Sequence, residues 1–254
     1  MIAALCIFAF LAGFVDAMVG GGGLVQLPAF FIFQPHLTLV QTLASNKTAS
    51  FLGTSVAAVE FLKKVRIQWR QIAIILAAAF LSSVSGAFLV SQVRKEQFLP
   101  VIIIALIGVL TYTVYKRELG LHHTERHLSK RQKLLNSLAT GGLIGFYDGL
   151  IGPGTGSFLI FAFVVLFGFN FLHAAANAKL VNLVTNIAAL GFFFIKGHIV
   201  WSVALPVGLA NMAGNYLGSK LALRKGSGFV RIFFIIVVIL LILKLGFDYW
   251  KQKQ

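Results

Sequence analysis

The chain has 254 residues, 58% of them hydrophobic and only 11% charged, and its formal net charge is +15. Soluble domains carry about 25% charged residues, so this composition excludes a water-facing globular surface and leaves an integral membrane protein. The excess of Lys and Arg does not point to nucleic acid, because it gathers in short links between apolar runs, as the positive-inside rule expects. The one cysteine, Cys6, lies in an apolar run and excludes a disulfide or a thiolate metal site.

Apolar runs cover residues 2–33, 37–62, 72–93 and 98–115; a basic polar link follows at 116–133; then come 134–167, 171–195, 200–223 and 229–247. About 20 helical residues cross a bilayer. The expected fold is therefore an all-α polytopic membrane protein with about eight transmembrane segments, multi-pass in the cell membrane (a bacterial inner membrane). With no basic stretch ahead of it, the first run reads as a membrane helix and not as a cleaved signal. The run 2–33 is too long for one span and too short for two, which leaves a span plus a half-helix, or a re-entrant hairpin. The links 63–70 and 116–133 are the most basic and share the cytoplasmic side if the two runs between them span. In the second half Lys220, Arg224, Lys225 and Arg231 compete with Lys196, Lys251 and Lys253, which leaves the orientation, and whether the repeats are parallel or inverted, open.

The second four runs repeat the first. A gapless shift of 132 carries Gly13, Phe14, Asp16, Gly20 and Gly22 onto Gly145, Phe146, Asp148, Gly152 and Gly154. It also carries Ala44, Lys47, Lys64, Trp69 and Gly86 onto Ala176, Lys179, Lys196, Trp201 and Gly218. Matched Asp, Lys and Trp are informative in so apolar a chain. The organisation read from this is a first membrane repeat at 1–115, the linker 116–133 and a second repeat at 134–254. Each repeat opens with a helix broken by glycine: Gly20 to Gly23 in the first, Gly152-Pro153-Gly154-Thr155-Gly156 in the second. Freed backbone groups survive at membrane depth only beside protein or a polar cavity, so these breaks mark a cavity, as in many duplicated transporters.

Of the seven acidic residues only Asp16 and Asp148 lie well inside apolar runs. A charge there costs at least about 2.5 kcal/mol, so each carboxylate is expected to carry a proton or to sit beside a cation. Each half offers a cation in its next run, Lys47 and Lys179. Structurally this reads as two buried Asp–Lys pairs; functionally it reads as a cationic anion site with proton-coupling carboxylates at Asp16 and Asp148. The half-helices after the breaks offer unpaired N–H groups and positive dipole to an anion. Candidate substrate-binding residues are Gly21, Gly22, Gly23, Gln26, Asn46 and Lys47 in the first half, and Gly154, Thr155, Gly156, Ser157, Lys179 and Asn182 in the second. Ser50 and Thr54, with their counterparts Asn182 and Asn186, fall on one helix face near the lysines. His122, His123 and His127 lack matching carboxylates, so no metal and no cofactor is expected. With no catalytic motif present, the chain reads as a non-enzyme whose partners are the lipid bilayer and a small anionic substrate; no feature fixes an oligomeric state. An anion channel and a non-transporting membrane assembly subunit remain as alternatives.

The stretches from Gly13 to Gly23 and from Gly145 to Gly156 resemble the paired glycine motifs of the TauE/SafE family of sulfite exporters, also called toluene sulfonate uptake permeases. Asn46-Lys47 and the Lys179 segment resemble its YfcA-like branch. The resemblance covers almost the whole chain. It implies a multi-span permease of about eight segments that moves sulfite, organosulfonates or related small anions. Joined to the reading of Asp16 and Asp148 above, the expectation is a secondary transporter, a proton-coupled exporter of such an anion.

Overall fold

The computed structural model describes residues 1–90, 95–115, 119–122 and 128–252, with side chains described at all of these except 95–102, 105, 241, 245, 248, 249, 251 and 252. Ten helices occur among the described residues, and no strand. They are α1 (Ile2–Val19), α2 (Gly22–Phe33), α3 (Leu39–Leu62), α4 (Trp69–Leu89), α5 (Lys95–Tyr115), α6 (Lys130–Ala139), α7 (Gly145–Leu150), α8 (Thr155–Phe167), α9 (Phe171–Ile195) and α10 (Trp201–Gln252). A single π turn, Thr140–Ile144, joins α6 to α7. Burial is the reverse of a water-soluble protein: Lys179 is 0% exposed while Leu81 is 67% and Leu143 73% exposed. This distribution suits a lipid solvent and makes the chain a membrane protein.

The first apolar run is a hairpin. α1 ends on Gly20, whose φ of 76° and N–H bond to Asp16 O stop the helix in the left-handed conformation that glycine adopts without strain. α2 then folds back along α1, with Gly22 against Ala12 and Asp16, and Phe33 against Phe8 at 5.7 Å. Its 12 residues reach only about 18 Å, short of the roughly 30 Å hydrocarbon core. The second half repeats this device. α6, the π turn and α7 lead to the break at Ile151 to Gly154, and α8 returns beside them, with Phe158 against Tyr147 at 5.8 Å. Of the remaining helices, α3 starts on a capping box of Thr38 and Gln41. α9 starts on Asn170, which the shift of 132 relates to Thr38 and which caps His173 N–H at 2.8 Å.

Among the described residues, four helical stretches are long and apolar enough to cross a bilayer: Ile2–Val19, Trp69–Leu89, Phe171–Ile195 and Trp201–Lys244. The last corresponds to two runs in the sequence. It is bent where Gly226 takes φ 78°, ψ −172°, which divides α10 into 201–225 and 227–252. α6 also begins at Lys130, inside the stretch read as linker; much of that linker (116–118 and 123–127) lies outside the described residues.

The contacts set the directions of the helices. Gly13 meets Asn211 and Gly218 meets Phe14; Gly208 meets Ala49 and Gly53 meets Asn215. So α1, α3 and the first stretch of α10 run the same way. Gly141 meets Ile75 and Gly149 meets Ser83, while Ser83 donates to Thr185 O at 3.0 Å and Phe88 packs on Phe192 at 6.2 Å, so α4, α7 and α9 also run together. Leu43 and Ala44 of α3 cluster with Ala189 and Phe193 near the end of α9, whereas Ala58 and Phe61 lie in the core with Ala174 and Ala175 near its start. Hence α3 and α9, counterparts under the shift, are antiparallel, and the two sets are inverted with respect to each other. Contacts are exchanged between them with the same symmetry. A Cβ on Gly218 would lie 2.4 Å from Phe14 O, and one on Gly86 2.3 Å from Phe146 O.

Candidate functional site

The two hairpin tips meet at the centre of the fold. A Cβ on Gly20 would lie 2.3 Å from Gly156 Cα, so neither residue has room for a side chain. Ser157 Oγ donates to Val19 O at 2.8 Å, and Tyr147 Oη donates to Pro153 O at 2.5 Å. These bonds occupy backbone carbonyls that the breaks leave without helical partners.

Around the joined tips lie the two expected lysine–carboxylate pairs, formed across the halves and not within them. Lys47 Nζ donates to Asp148 Oδ2 at 2.7 Å, and Lys179 Nζ donates to Asp16 Oδ2 at 2.6 Å. Each lysine of one set is thus bound to the carboxylate of the other. All four side chains are largely shut from solvent, at 6% and 4% exposure for the first pair and 0% and 17% for the second. At this depth an isolated charge is strongly disfavoured, and the direct, short pairing is what permits four of them in one core.

The pairs border a cavity of about 30 Å³. Asp16 and Gly20 line it from α1 and its cap, Gly23 from α2, and Asn46, Lys47, Ser50 and Thr54 from α3. From the other half come Asp148, Gly152, Gly154, Thr155, Gly156, Asn182 and Asn186. Its wall is more polar than apolar, and its volume accommodates about two waters. Buried Asn46 Oδ1 has no protein partner, and a half-turn of the amide would present Nδ2 instead. Two lysines and two carboxylates leave the site neutral in formal charge. The first turns of α2 and α8 end on the same cavity and add the partial positive charge of helix N-termini.

Nine of the fourteen residues singled out from the sequence line this cavity: Asp16, Gly23, Asn46, Lys47, Asp148, Gly154, Thr155, Gly156 and Asn182. The others lie elsewhere. Gln26 turns to α10, where its Oε1 accepts from Asn211 Nδ2 at 2.7 Å. Ser157 is used in the tip contact. Lys179 sits behind Asp16. Gly21 and Gly22 form the start of α2, with Gly22 packed on Ala12 and Asp16. Gly20, Gly152, Ser50, Thr54 and Asn186 also line the cavity. The glycines were visible as breaks and the polar three as a helix face; what sequence lacks is which way each faces. Among the described residues no cluster of His, Cys, Asp and Glu could hold a metal, and His123 and His127 lie outside the described residues.

Fold and site together define an integral membrane protein with inverted helical hairpins and a buried, ion-paired polar cavity between their tips. The chain belongs to the sulfite exporter TauE/SafE family, whose family model matches residues 5–245. It is 35% identical over 248 residues to the "Probable membrane transporter protein YfcA" of Escherichia coli (strain K12), covering 96% of this chain and 89% of that one. It is 33% identical to the "Probable membrane transporter protein ORF9" of Sinorhizobium sp, covering 98% and 93%. A "Probable membrane transporter protein" of Haemophilus influenzae is 32% identical, covering 98% and 95%. No solved structure matches the chain.

Proposed function

We propose that the chain is a secondary transporter that carries a small anion, sulfite or an organosulfonate, out of the cell with proton coupling. The observation that carries this reading is the crossed pairing of Lys47 with Asp148 and Lys179 with Asp16 around one cavity. While both pairs are closed, the lysines are neutralised and the cavity has no net attraction for an anion. Protonation of one carboxyl releases its lysine, and the freed ammonium and the N–H groups at Gly23 and Gly156 then receive the anion. Loss of the proton restores the pair and expels the anion. A cavity for about two waters is small for an oxyanion, and opening a pair enlarges it, which would tie substrate entry to the proton step.

The inverted hairpins suit exchange of access, because a tilt that opens one half to one face closes its counterpart to the other. A doubly charged anion moving with one proton carries one net negative charge, so an inside-negative potential favours its exit by about 2.3 kcal/mol per 100 mV, offset in part by an outside-acid pH gradient. A singly charged sulfonate moving with one proton would be electroneutral. A small central cavity bounded by ion pairs favours a carrier over a channel.

The test is charge movement by purified protein in proteoliposomes, with sulfite, sulfate, thiosulfate and small sulfonates, with and without a pH gradient. A saturable, pH-dependent current for one anion, lost in Lys47→Ala and Lys179→Ala and stripped of its pH dependence in Asp16→Asn or Asp148→Asn, is the expected result. Currents that persist unchanged in the lysine variants, or that follow cations, would remove the anion site. An unaltered pH profile in both Asp variants and in their double would remove the proton step.

A further inference from the structure

The two halves differ sharply at one buried place. On α10, Asn211, Asn215 and Ser219 follow one another at spacings of four and are 3%, 0% and 0% exposed. Asn211 Nδ2 donates to Gln26 Oε1 at 2.7 Å and to Ala9 O at 3.2 Å, and Asn215 Nδ2 donates to Asn211 Oδ1 at 2.8 Å. Gly13 and Gly53 leave the room for these amides, since a Cβ at either would fall 2.9 or 2.4 Å from Asn215 Nδ2. The shift of 132 relates Gln26 to Phe158 and the α10 stripe to Ala79, Ser83 and Ala87. One half therefore has a column of amides where the other has an aromatic ring and small side chains.

The column is not satisfied by protein alone. Gln26 Nε2 and Asn215 Oδ1 are buried without a protein partner, one a donor and one an acceptor. Such groups are expensive at membrane depth, and a buried donor and a buried acceptor left unpaired a few residues apart are the partners that bound water takes. α1 and α10 run in parallel contact, with Gly13 at Asn211 and Phe14 at Gly218, which sets Asp16 level with Asn215 and Ser219. Asp16 is also the more open of the two carboxylates, at 17% against 4%. The charged groups facing it are Lys179 of α9, bonded to it, and Lys47 and Asp148 across the cavity. The described side chains that α2, α8 and α10 pack beside it are uncharged. At the other end of the column, Leu5, Phe30, Val203 and Val207 form a closed apolar cluster.

We propose that Gln26, Asn211 and Asn215 hold a chain of waters, present in one half only, that carries protons between one face of the membrane and Asp16. The proposal rests on the reading of Asp16 as a proton-coupling carboxylate. A proton enters where the cluster of Leu5 and Phe30 parts, passes along water and amide hydrogen bonds, and is taken up by the Asp16 carboxylate as its bond to Lys179 breaks. Asp148 has no such column and is reached through the central cavity; Asp16 borders that cavity too, and the column is its faster route. Gln26, Asn211 and Asn215 act as positioning residues for the waters.

The experiment uses full-length protein in lipid nanodiscs and follows protonated-carboxyl infrared bands after a pH jump. The Asp16 band is assigned by its absence in Asp16→Asn, and the Asp148 band by its absence in Asp148→Asn. The test variant is Gln26→Phe/Asn211→Ala/Asn215→Ser, which gives this half the residues its counterpart already packs; Asn215→Ser alone is the milder second variant. The expected result is an Asp16 band that grows about tenfold more slowly in both variants, the loss of roughly one hydrogen bond from the path, with the Asp148 band unchanged. An unaltered Asp16 rate in both variants overturns the water column and leaves the proton-coupling reading standing. Absence of any Asp16 band in the unsubstituted protein overturns that reading, and the column with it.

Discussion

The crossed ion pairs make a prediction that separates them from any pairing within a half. Lys47→Met removes the cation bound to Asp148, and both residues are about 95% buried, so the remaining carboxylate has no alternative partner in water. Breaking one partner of a buried pair costs about 3–5 kcal/mol, while replacing both by apolar groups is often close to neutral. At roughly 2–4 °C per kcal/mol for a chain of this size, Lys47→Met should lower the apparent melting temperature by about 6–20 °C. Lys47→Met/Asp148→Ala should recover most of that loss. Lys47→Met/Asp16→Ala should be worse than the single variant, because it also strands Lys179. The assay is thermal unfolding in detergent, read by intrinsic fluorescence and by recovery of the monodisperse peak on gel filtration. Recovery in the Asp16 double and not in the Asp148 double would refute the crossed arrangement. A drop below about 1 kcal/mol in the single variant would refute the claim that the pair is buried.

Three further outcomes follow from the packing. Gly20→Ala should cost about 2–5 kcal/mol, from the left-handed conformation and from overlap with Gly156, whereas Gly142→Ala, in open space, should be nearly silent; the same melting assay compares them. Gly86→Ala and Gly218→Ala should each cost about 1–3 kcal/mol and by similar amounts, because each meets the carbonyl of a counterpart phenylalanine; a large difference would contradict the symmetric exchange of contacts. Ser157→Ala should cost about 1 kcal/mol by removing the bond to Val19 O, and Ser157→Thr should restore part of it if the hydroxyl is what matters.

Much of this was legible in the chain. Glycine runs that no membrane helix tolerates announced the two breaks, and lone Asp and Lys residues in apolar runs announced the ionic centre. What could not be read was who pairs with whom. Asp16 and Lys47 are neighbours in sequence terms, and a linear reading gives no reason to prefer Lys179, 163 residues away. Directions of side chains on a helix were equally hidden: Gln26 and Thr155 looked alike as polar groups beside a break, yet one joins α10 and the other lines the cavity. Asn211 and Asn215 went unremarked although a signal existed, two amides at a spacing of four where the other half carries Ala79 and Ser83. The division of α10 at Gly226 was legible, because the apolar runs 200–223 and 229–247 end on either side of it.

The exchange of partners also constrains how such a chain is made. As residues 2–62 leave the ribosome and enter the bilayer, Asp16 and Lys47 are committed to lipid with their eventual partners not yet synthesised. Until Asp148 and then Lys179 arrive, the nascent hairpin must hold those charges near the headgroups, beside insertion machinery, or against each other. Maturation is therefore a late event, and a stall before the codon for Lys179 would leave a product that quality control can recognise by its unpaired carboxylate. The same logic means that the two halves, made as separate polypeptides in one cell, should be long-lived only together.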